Sequence, residues 1–227
     1  MTSAWPLRLS GSAFVVLWEK LGLGTLPRAL FAPSPGATAG ERSRVERAAA
    51  EELTRLGIGR GHDIDHELVV ALRLLAMPAA EYYGWVVPAG GPVFGVQAAA
   101  AGNAAVLSTV ADSMVELIRV NAGNLASAVG HRLPPHPPAR SRPVTTEHTR
   151  QDFERAVGDA ITGNGQFFVA VRDKLGRRRQ YEQAIEYVDT ARGRWLLRRG
   201  NGTTTAVPAD AGVVGAELDR IRWRLVR

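Results

Sequence analysis

Cysteine is absent from the 227 residues. That excludes disulfides, thiolate metal sites and a cysteine nucleophile, and it fits a reducing compartment. Lysine is nearly absent too: Lys20 and Lys174 are the only ones among 28 basic residues, so the positive charge is carried by arginine. With the high Ala and Gly content this reads as codon bias. No apolar run approaches the ~20 residues of a membrane span. The short N-terminal apolar patch ends at Glu19 and Lys20 without a small-residue cleavage site, so the expectation is a cytoplasmic protein that makes no membrane contact.

What is present is an ordinary globular composition, 45% hydrophobic, long enough for one large domain or two small ones. The formal charge of +6 is unevenly spread. Residues 1–130 carry 10 basic against 11 acidic side chains, net −1; residues 131–227 carry 18 against 11, net +7. A basic second half points to nucleic acid, an anionic surface or an acidic protein partner.

Along the chain, Ser10 or Ser12 can cap a helix over Ala13–Leu21, and a second helix spans Glu41–Leu56 until Gly57. Gly57, Gly59 and Gly61 suggest a phosphate loop, but a helix, not a strand, precedes them. His62 and His66 have the i, i+4 spacing of a metal pair without a third ligand nearby. The simpler reading makes Asp65 the N-cap of a helix over Glu67–Ala76 and leaves His62 in the loop; no metal or other cofactor is expected. After Pro78 the period drops to two, giving strands at Tyr82–Val87, Val93–Ala99, Ala104–Val110 and Met114–Val120, then a short helix over Asn124–Val129.

His131–Val144 holds five prolines and reads as a stiff linker with solvated His131, His136 and His148. Pro135, Pro138 and Arg140 also fit a PxxPxR ligand pattern. Beyond it, Thr146 can cap a helix over Arg150–Ile161. A strand meander follows: Phe167, Val169 and Val171 alternate with Phe168, Ala170 and Arg172; Ile185 and Tyr187 with Glu186 and Val188; Trp195 and Leu197 with Leu196 and Arg198. Thr203–Val207 adds a strand, and the last helix carries Val214, Leu218 and Ile221 on one stripe. The expected fold is α+β: a central antiparallel sheet built from two pseudo-repeated helix–four-strand–helix halves, flanked by helices. The divisions are 1–130, a Pro-rich linker at 131–145, and 146–227, together forming one compact domain.

Motifs that carry chemistry are missing: no GxSxG, HExxH or GxxxxGK[ST] occurs, and no catalytic residue is assigned. Asn201-Gly202-Thr203 fits a glycosylation sequon, which a cytoplasmic turn explains better. A sheet-based single-stranded nucleic-acid binder is the alternative function, with Phe168 or Trp195 stacking bases beside the Arg177–Arg179 cluster. Its weakness is the slightly acidic first half. Homodimerisation through an edge strand is a third possibility.

The segments GSAFVVLWEKLGLGTLPRAL, GHDIDHELVVALRLLAMP, GQFFVAVRD, IEYVDTARGRWLLRR and TTAVPADAGVVGAELDRI occur in an order that resembles the EspG proteins, secretion-associated factors of actinobacterial type VII (ESX) systems. The resemblance spans nearly the whole chain, and EYVDTARGRWL and VPAD are its most specific pieces. It implies a non-enzymatic cytosolic chaperone that binds the apolar tip of PE–PPE-like or other ESX substrate heterodimers. It also implies that the tip is received by the sheet, the C-terminal helical part and the loop between the second and third strands, here Ala100–Asn103. An apolar patch rimmed by polar groups suits that task. Trp85, Phe94, Phe168, Trp195 and Leu196 are the candidate partner-binding side chains, with Arg177, Arg178, Arg179, Arg194 and Arg198 as the rim. Alternation alone leaves open which sheet face is inside.

Overall fold

Leu7 and Leu9 alternate with Arg8 and Ser10, and that period of two builds an edge strand, β1 (Leu7–Ser10), where no strand is predicted. The computed structural model describes residues 5–31, 36, 38–60, 63–146, 150–200 and 202–227. Ser10 ends the strand and caps α1 (Gly11–Lys20) by accepting from the Ala13 amide. Thr38 and Glu41 form a capping box on α2 (Ala39–Arg55). A small hairpin of β2 (Gly59–Arg60) and β3 (Asp63–Ile64) follows. Asp65 Oδ1 then accepts from the Leu68 amide at 3.0 Å and starts α3 (His66–Ala76). Asp65 is therefore a cap; the proposed metal pair with His62, like Gly61 of the phosphate loop, falls outside the described residues.

The first strand series is β4 (Ala80–Val87), β5 (Phe94–Ala101), β6 (Ala104–Ala111) and β7 (Met114–Arg119), closed by α4 (Leu125–Gly130). The second half contains β8 (Val144–Thr146), α5 (Arg150–Val157), β9 (Ile161–Arg172), β10 (Arg178–Gln180), β11 (Ile185–Thr190), β12 (Gly193–Gly200), β13 (Thr203–Pro208) and α6 (Ala211–Val226). All but β2 and β3 join one antiparallel sheet in the order β1-β7-β6-β5-β4-β9-β11-β12-β13-β8, with β10 extending from β9. The halves meet along β4 and β9, where Tyr83 stands opposite Phe168. Each half holds more than four strands, since β1 joins the first and β8 and β10 the second.

Two layers of helix cover the sheet. On one face α4 and α6 bury Tyr82, Val96, Phe167, Tyr187 and Leu196 against Val129, Leu218 and Ile221. On the other, α1 and α3 bury Leu9, Val106 and Leu117 under Phe14, Trp18 and Leu72. Further along that second face, α5 lays Phe153 and Val157 over Val188, Trp195 and Ala206. Gly95 sits where the chain at Arg28–Leu30 crosses the second face: a Cβ there would lie 1.8 Å from the Ala29 carbonyl oxygen. Neither backbone can yield, so Gly95→Ala is expected to cost about 1–3 kcal/mol. Thermal unfolding of the variant checks this.

Two expectations fail here for physical reasons. The helix predicted over Arg150–Ile161 stops at Val157, because Gly158 takes φ +64° and turns the chain into β9; Ile161 is that strand's first residue. Thr146 is the end of β8, and the cap position of α5 and His148 lie outside the described residues. The Pro-rich segment is not solvated throughout. Arg194 donates its amide to Pro137 O and its Nη2 to Pro134 O, both at 2.8 Å, and Ala139 N returns a bond to Arg194 O. His136 Nε2 donates to Thr190 O at 2.9 Å. Leu133 is buried on the α4/α6 side and Ala139 under α5, so the segment passes from one face to the other around the β11–β12 hairpin. Held by these bonds, Pro135–Arg140 is also not a free PxxPxR ligand.

Candidate functional site

Between the α1/α3 layer and α5, the second sheet face is floored by side chains that lie outside the three buried clusters, with the turn Arg28–Leu30 crossing beside them at Gly95. Period two on β4 sends Glu81, Tyr83 and Trp85 to this face, and on β9 Gln166 and Phe168. Phe168 stacks on Tyr83 with ring centroids 5.4 Å apart, and Trp85 meets both edge-on at 6.5 and 6.3 Å. Trp85 and Phe168 are half-buried and belong to none of the three buried clusters. Each ring therefore packs on its neighbours while one side faces solvent. Large rings left this way are the usual material of protein interfaces.

Polar groups frame the rings. Arg178 lies 5.7 Å over the Tyr83 ring, and its Nε donates to Glu81 Oε1 at 2.9 Å. Gln97 Nε2 donates to the other Glu81 oxygen at 2.8 Å, and Tyr83 donates to Gln180 Oε1 at 2.9 Å. On the far side, Arg199 Nη2 donates to Glu186 Oε2 at 2.6 Å and Gln166 Nε2 to Glu186 Oε1 at 3.2 Å. Burial pulls the Arg178 guanidinium down, but Tyr83 and Glu81 outweigh it and hold it above its ordinary value. What the set offers is an aromatic surface framed by oriented arginines and amides.

Of the predicted partner-binding residues, the structure brings Trp85, Phe168 and Arg178 together and disperses the rest. Trp195 and Leu196 are corrections: they are 2% and 0% exposed, one under Phe153 and the other in the α4/α6 cluster. Arg194 is a correction too, fully buried in an ion pair with Asp189 and lying 4.4 Å over the Tyr187 ring. Phe94 sits on the α4/α6 face, half-buried against that cluster. Arg177 is held in the β9–β10 turn by Asp173, and Arg179 points away from Arg178 by strand alternation.

Arg198 faces α6, where it and Arg220 flank Glu217. Burial alone would push the Glu217 carboxyl up, but Arg220 and Arg198 outweigh it and hold it below the usual carboxylate range. Such a group contributes stability above the unfolded value near 4.3 that is lost as pH falls through the folded one. Denaturant midpoints between pH 6 and 3 are expected to fall less steeply for Glu217→Gln than for the wild type.

Sequence reasoning missed Tyr83, Glu81, Gln166, Gln180, Glu186 and Arg199. The signal that finds them is strand pairing: once β4 is set beside β9, alternation places all but the two outer residues on one face. The segment between the second and third strands of the first series is a two-residue turn, Gly102–Asn103, since Ala101 pairs with Ala104.

Comparison with known proteins follows the fold. The EspG family model matches residues 10–220. Among solved structures, the chain is similar to the Mycobacterium tuberculosis type VII secretion system chaperone EspG5, solved in complex with a PE25–PPE41 dimer. The TM-score is 0.67 at 13% identity, covering 94% of each chain. No curated protein matches the chain in sequence.

Proposed function

Because the chain belongs to the EspG family, we propose that it is a type VII secretion chaperone that binds a PE–PPE-type substrate heterodimer, acting in the cytoplasm and without catalysis. The observation that carries the reading is the family match across residues 10–220; the fold likeness to a chaperone with a bound PE–PPE dimer supports it. Among the described residues no helix is long and apolar enough to cross a membrane. The partner's apolar tip seats on the ring floor, where Trp85 and Phe168, half-buried over the buried Tyr83, are ready to lose their remaining contact with water.

The test is co-expression with each PE–PPE-type pair encoded in the same genome. A soluble ternary complex that co-elutes in size exclusion is expected. A folded chain that forms no complex with any such pair would sink the proposal.

A further inference from the structure

Two arginine–carboxylate pairs stand on either side of Phe168, and in both the carboxylate is the inner member. Glu81 is 10% exposed against 34% for Arg178, and Glu186 is 21% exposed against 39% for Arg199. Each carboxylate has both oxygens occupied: Glu81 by Arg178 and Gln97, Glu186 by Arg199 and Gln166. Each guanidinium has donors to spare. Arg178 uses Nε and Nη1, the latter to Gln180 Oε1 at 2.8 Å, and Arg199 uses Nη2 alone. The frame of the ring floor thus offers arginine N–H donors and positive charge outward while its carboxylate oxygens are consumed within. A guanidinium already oriented by one carboxylate keeps a fork that can take a second acceptor with little loss of freedom.

We infer that the segment seated on the Tyr83–Phe168–Trp85 floor is acidic as well as apolar: a tip carrying a carboxylate beside its apolar side chains, received by Arg178 and Arg199. An uncharged apolar tip would leave two desolvated guanidiniums at the margin without new acceptors, which disfavours it. The inference rests on the proposed binding of a PE–PPE-type partner and specifies the chemistry of that same surface.

The experiment measures affinity for the co-encoded PE–PPE pair from 50 to 500 mM salt, for the wild type, Arg199→Gln, Arg178→Gln and Phe168→Asp. Arg199→Gln is expected to bind about 5- to 10-fold more weakly at low salt, with a flatter salt dependence and an unchanged melting temperature. Arg178→Gln is expected to behave likewise; if removing it from the more buried Glu81 unfolds the chain, Arg199→Gln decides alone. Wild-type affinity and salt dependence in Arg199→Gln, with Phe168→Asp still abolishing the complex, would overturn the acidic tip and leave the chaperone reading standing. Absence of any complex with the wild type would remove both.

Discussion

Asp189→Ala is expected to destabilise the fold by about 3–5 kcal/mol, because it strands a guanidinium where water cannot reach it. Arg194 Nε and Nη2 donate to the two Asp189 oxygens at 2.7 and 2.9 Å, and the side chains are 1% and 5% exposed. The arginine is also bound to Pro134 O and lies over Tyr187. Its backbone holds Pro137 and Ala139. The damage should therefore spread from β12 to the Pro-rich segment. Denaturant unfolding measures the loss, and proteolysis within 131–145 reports its spread. Replacing both partners with apolar residues of similar size, Asp189→Leu with Arg194→Met, should cost less than Asp189→Ala alone, since no unpaired charge remains. A double variant as unstable as the single one would show that the bond to Pro134 and the packing over the Tyr187 ring, not the ion pair, hold this corner.

Phe168→Asp should abolish binding of a PE–PPE-type partner while leaving the fold intact. The ring is half-buried, stacks on Tyr83 and meets Trp85, and belongs to no helix-covered cluster, so a polar replacement removes little core. At an interface it would lose aromatic burial and add a charge facing an apolar tip. Central aromatics of this kind commonly account for 2 kcal/mol or more, roughly 30-fold in affinity. Calorimetric titration of the purified variant against the co-encoded pair checks it, with thermal unfolding as the fold control. An unchanged affinity would count against the ring floor as the contact surface; should the variant unfold, Trp85→Ala, which faces the same floor and adds no charge, decides instead.

Elements set by local chemistry were legible in the sequence. The Ser10 and Asp65 caps, the strands on either side of Gly102, and the stripe of Val214, Leu218 and Ile221 all lie where side-chain type and period place them. What could not be read depends on contacts between distant segments. Strand pairing sets Trp195 and Phe168 on one face, where the packing of Phe153 buries the first and leaves the second half-exposed. Arg194 and Arg199 are chemically alike, five residues apart. One is buried because Asp189 stands opposite and the Pro-rich segment crosses over it; the other lies near the free end of β12. The basic character of the second half shrinks in the same way, since Arg178, Arg194, Arg198, Arg199 and Arg220 are each paired with a carboxylate.

The seam between β4 and β9 also bears on how the protein comes off the ribosome. Tyr83 and Phe168 face each other across it though they lie 85 positions apart in the chain. Contacts of such long sequence separation form late, after the local hairpins on either side. Until β9 has been synthesised and has docked, β4 offers two rings and no floor. On the proposed function, a half-made copy lacks the surface that would hold a client, so that binding would report that folding is complete.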